Sequence, residues 1–115
     1  MGTRTVVVHC DFAPFDIYGG RPRPKRGLDG PFGNPFSHKP GTSARFRVAS
    51  RAEAVEKHRA WFLSNPELIE RVKREMTGKR IGCWCKFPKN PLPCHCDVYA
   101  EVCNGELAPD QGSLF

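Results

Sequence analysis

The sequence predicts a small α/β domain with a mostly parallel sheet and helices packed on it. Three observations carry the prediction. Thr5 to Asp11 contains the unbroken β-branched run Val6-Val7-Val8, which reads as a largely buried first strand. Two helical segments with recognisable caps follow between Ser50 and Gly78. Ile81, Cys83 and Cys85 then alternate with Gly82 and Trp84, as in a second strand, and a last helical segment stops at Asn104-Gly105.

The chain has 115 residues, enough for one domain with a modest core. We expect that domain over residues 1–105 and a tail over 106–115. The formal net charge is +6, which suits a nucleic acid, nucleotide or phosphate partner and equally a set of solvated helix faces. The run Val6-Val7-Val8 is too short for a signal-peptide core, no stretch is long enough to cross a membrane, and Val6 breaks the myristoylation pattern after Gly2. The expectation is a cytoplasmic protein with no membrane partner and with its 6 cysteines reduced.

After the first strand, Asp16-Ile17-Tyr18 and Gly19-Gly20 read as a turn-rich segment. Arg21-Pro22-Arg23-Pro24-Lys25-Arg26 follows, where alternate prolines predict an extended, solvated backbone whose cations could meet phosphates. Gly30-Pro31-Phe32-Gly33-Asn34-Pro35-Phe36 is turn chemistry with two aromatic anchors. Pro35 pushes Asn34 out of the helical region, which either presents its side chain to a pocket or merely closes the turn. His38 and Lys39 extend the basic character. Ser50 and Glu53 form a capping box for the first helix, whose apolar side is Ala54, Val55, His58 and Phe62, with Trp61 as an anchor to the core. Asn65 caps the second helix, Pro66 opens it, and Ile69, Val72 and Met76 form its buried stripe.

The densest chemistry lies in Cys83-Trp84-Cys85 and Cys94-His95-Cys96-Asp97. A loop brings Cys94 and His95 to the start of the last helix, near the strand that carries Cys83 and Cys85. Three readings stand side by side. Cys83, Cys85, Cys94 and His95 are four ligands suited to a zinc ion, with Cys96 as an alternative fourth. Alternatively, Cys94 is a nucleophile whose thiolate the helix N-terminus favours, with His95 as base and Asp97 as its orienter. The third reading is inert packing, which we assign to Cys10 and Cys103. The tail ends Gln111-Gly112-Ser113-Leu114-Phe115, similar to the short peptides by which bacterial and phage proteins bind the replicative sliding clamp. Leu114 and Phe115 would fill an apolar cleft and Gln111 would hydrogen-bond at its edge, although Gly112 replaces the usual Leu.

Taken together, Tyr18-x-Gly20-Arg21-Pro22, Gly33-Asn34-Pro35-Phe36, Arg51-x-Glu53-Ala54-Val55 with Trp61, Gly82-Cys83-Trp84-Cys85 and Pro93-Cys94-His95-x-Asp97-Val98 resemble the domain-of-unknown-function family DUF4326. The likeness runs from about Thr5 to Asn104. It implies a small protein of phages and bacteria, in the host cytoplasm if phage-encoded, and supplies no agreed function. It places Arg21, Asn34, Cys83, Cys85, Cys94, His95 and Asp97 on motif positions and leaves Cys96 incidental. His9-Cys10 departs from the family, where an Asn commonly stands near that strand position.

These observations lead to two expectations. One is an enzyme or enzyme-like domain acting on or binding a nucleotide or DNA, with Arg21 on a phosphate, Asn34 on a base or sugar, and the Cys83, Cys85, Cys94 and His95 group holding a metal or supplying the nucleophile. The other is a zinc-stabilised, non-catalytic module that binds DNA or a replication protein.

Overall fold

Val6–His9 and Arg80–Cys83, both marked in the sequence by short apolar runs, lie side by side in the computed structural model, which describes residues 4–37, 46–89 and 92–106. Among these residues the chain runs β1 (Val6–His9), β2 (Ile17–Tyr18), a 3-10 turn (Pro24–Arg26), β3 (Phe36–Ser37), β4 (Phe46–Arg47), α1 (Arg51–Leu63), α2 (Pro66–Met76), β5 (Arg80–Cys83) and α3 (Cys96–Cys103). The main sheet has the order β1-β5-β2 and is parallel throughout, with Val6 opposite Arg80, His9 opposite Cys83 and Tyr18 opposite Gly82. A second, two-stranded parallel sheet joins β3 to β4. The α/β class is therefore as predicted. The expected peptide Gln111, Leu114 and Phe115, together with His38 and Lys39, lies outside the described residues.

Strand β5 is central because its composition tolerates neighbours on both edges and cover on both faces. Ile81, Gly82 and Cys83 are buried, and the Phe15 ring lies 2.6 Å from where a Cβ on Gly82 would stand. Strand β1 is less buried than its valine run predicts. It forms an edge, and Val6 is 39% exposed. Its entry is pinned to the end of α3 by a reciprocal pair: Thr5 N–H donates to Asn104 Oδ1 and Asn104 Nδ2 donates to the Thr5 carbonyl, each at 2.8 Å.

The helices begin where the caps place them. Ser50 Oγ accepts from Glu53 N–H at 3.1 Å, while Glu53 Oε1 reaches back to Ala49 N–H at 2.7 Å, one residue earlier than in the usual box. Asn65 Oδ1 accepts from Leu68 N–H at 3.3 Å. Ile69, Val72 and Met76 are buried as the spacing requires. On α1 the buried residues are Ala54, His58 and Phe62, while Val55 is only partly covered. Phe62 has 0% exposure, a burial that contributes about 2–3 kcal/mol. Helix α3 packs on β1 and β5, and α2 lies against α3.

The Arg21 to Arg26 segment differs from its prediction. Instead of an extended backbone, Arg23 and Leu28 pair across an antiparallel bridge, with Pro24–Arg26 coiled into the 3-10 turn. Pro24 has the preset φ that the first turn position needs, and Gly27 closes the turn at a φ of 67°.

Candidate functional site

The segments that leave β2 and β5 open onto a cleft of about 350 Å³, walled on the far side by α1 and by the turn that carries Asn34. Strand β2 delivers Gly19, Gly20 and Arg21, and β5 delivers Trp84 and Cys85. The backbone is closely fitted here. Trp84 Nε1 donates to the Tyr18 hydroxyl at 2.7 Å, and that hydroxyl donates to the Arg21 carbonyl at 2.6 Å. A Cβ on Gly33 would stand 2.8 Å from Arg21 Cα. Arg21 is thus held by its own main chain, with its side chain half-buried at the cleft wall.

Arg21, Arg23 and Arg51 line the cleft, and no carboxylate does so among the described residues. Burial pushes the Arg21 guanidinium below its ordinary value, with the Cys85 and Cys94 sulfurs acting against the shift. Arg51 Nη1 donates to Cys85 Sγ at 3.2 Å. The cleft is therefore cationic at its walls and thiol-rich at its floor.

The floor is assembled by a chain reversal. Strand β5 ends at Cys83, so Cys85 lies beyond the strand rather than on its face. Leu92 N–H donates to the Cys85 carbonyl at 2.8 Å, returning the chain so that Cys94 meets Cys85. The thiols of Cys83, Cys85, Cys94 and Cys96 are close enough to shift one another's protonation. These contacts divide the four thiols. Cys94 is drawn down to about 5, first by its hydrogen bond with Cys83 and further by Cys96 and the charge of His95, against Cys85 and burial. Cys83 is also lowered, chiefly by Cys85. Cys85 is raised, chiefly by Cys83, and burial drives Cys96 well up.

His95 sits at the entrance of α3, buried, with its ring orientation fixed by the main chain. Nε2 lies 2.7 Å from the Gly19 carbonyl and 3.1 Å from the Phe32 carbonyl. Both oxygens can only accept, so Nε2 carries a proton. Nδ1 faces Cys94 Sγ at 3.8 Å. Burial opposes charge on this ring, but the negative charge and hydrogen bond of Cys94 and the Gly19 carbonyl outweigh it and raise the imidazole's pKa. The Phe32 carbonyl also accepts from the Tyr99 hydroxyl at 2.8 Å, and His58 Nε2 lies 2.9 Å from that hydroxyl. One loop carbonyl thereby ties His95 to a buried His58–Tyr99 pair.

Asp97 does not orient His95. Its carboxylate accepts from Cys94 N–H at 3.1 Å and from Lys86 Nζ at 2.9 Å, so it ties down the loop that enters α3, and the carbonyls of Gly19 and Phe32 orient the ring. Asn34 lines the cleft but is bound into the fold: Oδ1 accepts from Phe36 N–H at 2.9 Å and Nδ2 donates to the Ala54 carbonyl at 3.1 Å. One amide hydrogen and one lone pair remain for a ligand. Arg21, Asn34, Cys83, Cys85, Cys94 and His95 share this one cleft.

Cys96, left incidental by the family resemblance, lies with Cys94 and His95. Cys94 Sγ, a His95 ring nitrogen and Cys96 Sγ lie within 4.8 Å of one another, and this group could hold a metal ion. Cys96 Sγ approaches the Gly19 carbonyl at 3.5 Å, and a Cβ on Gly19 would stand 2.6 Å from that sulfur. Arg51 and Trp84 were also not singled out from the sequence as cleft residues. Arg51 enters the sequence reading only as a position of the family motif, and nothing in the spacing tells whether Trp84 faces the core or the cleft.

The fold and site define a small parallel α/β domain with an arginine-walled, thiol-floored cleft. The family described as domain of unknown function (DUF4326) matches residues 8–105, and the chain belongs to that family. Comparison with curated proteins and with solved structures gave no match. No helix among the described residues is long and apolar enough to cross a membrane.

Proposed function

We propose that the cleft binds a nucleotide through its phosphate, free or within a DNA strand, and that the Cys/His group beneath it performs the chemistry. The observation that carries this reading is the half-buried Arg21 guanidinium, which faces a cleft lined, among the described residues, by two further arginines and no carboxylate. A cation held partly out of water without an acidic partner gains most from a bound oxyanion. Asn34 retains one donor and one acceptor for a base or sugar. Cys94, the most acidic thiol, stands beside the raised imidazole of His95, a thiolate–imidazolium pairing suited to nucleophilic attack.

Titration of the intact chain with nucleoside monophosphates, followed by calorimetry and NMR, tests the reading. Saturable binding is expected in the wild type, and Arg21→Gln is expected to weaken it by at least about tenfold with the fold unchanged. No binding of any nucleotide by the wild type refutes it.

A second reading, a zinc-stabilised module that binds DNA or a replication protein without chemistry, draws on the donor set. Nε2 of His95 is held by carbonyls, with Cys96 Sγ 3.6 Å from it, and Nδ1 is turned to Cys94 Sγ, the arrangement a metal-bound histidine uses. Cys83, Cys85, Cys94 and His95 Nδ1 would hold the ion, with Cys96 as the alternative. Metal content of protein purified without chelator separates the two. About one equivalent of zinc, lost together with folding in Cys83→Ser, favours the module; metal-free protein with a thiol reactive near neutral pH favours the enzyme. The clamp-binding tail is a further proposal: deletion of Gln111 to Phe115 is expected to abolish clamp binding and spare the fold.

A further inference from the structure

We infer that the ligand of the cleft is a single-stranded nucleic acid, whose bases next to the bound nucleotide stack on an exposed aromatic shelf beside it. This rests on the nucleotide reading for the cleft and adds the class of substrate. The shelf is built by the loops that leave the adjacent strands β1 and β5, where His9 lies opposite Cys83. Phe12 and Ala13 N–H both donate to the His9 carbonyl, and the tight turn projects Phe12 outward. Phe12 is 61% exposed and Phe87 41%. Their rings lie 6.1 Å apart, and each packs on the buried His9 ring, at 4.8 Å and 4.6 Å. His9 itself is fixed, because its Nδ1 accepts from Asp11 N–H at 3.1 Å.

The shelf runs into the cleft through Trp84, whose ring is 5.7 Å from His9 and which lines the cleft wall. The guanidiniums of Arg23 and Arg26 lie over that ring at 5.0 Å and 5.3 Å, with exposed Lys25 between them in sequence. Among the described residues, Asp11 pairs with these cations, holding Arg26 at 2.7 Å. Solvent-facing aromatic rings beside a row of cations match a strand that alternates flat bases with phosphates. An apolar peptide would satisfy the rings and leave the cations unused, and a mononucleotide would fill the cleft and leave the rings bare.

Fluorescence anisotropy with a labelled oligothymidylate, beside calorimetry with thymidine monophosphate, tests this in the full chain. The oligonucleotide is expected to bind roughly tenfold or more tighter than the monophosphate. The double variant Phe12→Ala/Phe87→Ala, on exposed positions, is expected to lose that gain and keep the monophosphate affinity. Equal affinity for the two ligands, or an oligonucleotide affinity unmoved by the double variant, overturns the shelf and leaves the cleft reading standing. Oligonucleotide binding that depends on the two rings without any monophosphate binding sustains the shelf and removes the cleft reading. Failure to bind either ligand removes both, and self-association lost in the double variant without oligonucleotide binding assigns the shelf to protein contact instead.

Discussion

Replacing Tyr99 by Phe removes one oxygen and exposes how the His95 pocket is held. The Tyr99 hydroxyl has a single hydrogen, which it donates to the Phe32 carbonyl at 2.8 Å. The contact with His58 at 2.9 Å therefore requires His58 Nε2 to be the donor. His58 Nδ1 has no hydrogen-bond partner among the described residues, and the ring is fully buried. Tyr99→Phe leaves both nitrogens of a buried imidazole unpaired. A stranded buried donor costs about 1–3 kcal/mol, and the lost bond to Phe32 adds about 1 kcal/mol, softened because that carbonyl keeps His95. The expected destabilisation is about 2–4 kcal/mol in urea melts, a large share of the 5–15 kcal/mol usual for a domain, with Tm lower by roughly 10 °C. His58→Leu combined with Tyr99→Phe removes the stranded donor as well. The double variant should then be more stable than the sum of the two single losses by about 1–2 kcal/mol. A Tyr99→Phe loss under about 0.5 kcal/mol, or simple additivity in the cycle, would refute the assigned donor direction and the network built on it.

Two further outcomes follow from the same geometry. Burial, with His95 beside it, holds His58 down to about 2 from 6.5, so the unfolded chain takes up this proton first: the stability it confers is complete above pH 6.5 and drains as pH falls below it. Between pH 7 and pH 5 wild type should lose about 2 kcal/mol more than His58→Leu, and parallel pH profiles in urea melts would show that His58 titrates normally. Gly33→Ala places a Cβ 2.8 Å from Arg21 Cα, a backbone atom that cannot swing aside. The variant should lose about 1–3 kcal/mol and bind nucleotides more weakly, whereas unchanged affinity would mean that Arg21 does not depend on this contact.

Much of the fold was legible because its long elements carry their own signals. Ser50, Asn65 and Pro66 mark two helix starts, and the apolar period of α2 selects the three residues that are buried. Strands β2, β3 and β4 have two residues each, too few for alternation to register. Strand β2 exists because β5 offers it a free edge, and β3 and β4 because each offers the other a backbone partner, a tertiary fact. The site was legible in its reactive side chains and illegible in what orients them. Asp97 stood at the right sequence distance from His95, yet the oxygens on that ring belong to Gly19 and Phe32. Main-chain oxygens have no residue type, so their role cannot be read from spacing. The spacing offered Cys96 only as an alternative ligand for a related reason: one of its contacts is the backbone at Gly19, brought near by β2 lying beside β5.

The placement of β5 between β1 and β2 also sets the order in which the molecule can assemble. Val6 waits for Arg80, and Ile17 waits for Ile81. Both outer strands leave the ribosome long before the strand that joins them, and α1 and α2 must be made in between. During that interval the Val6-Val7-Val8 run has an unpaired edge with no sheet to enter. Pairing across so much sequence makes for slow closure and an aggregation-prone interval. The late-made strand that supplies Cys83 is also the one that completes the sheet, so the floor of the cleft and the core of the domain come into being in the same step.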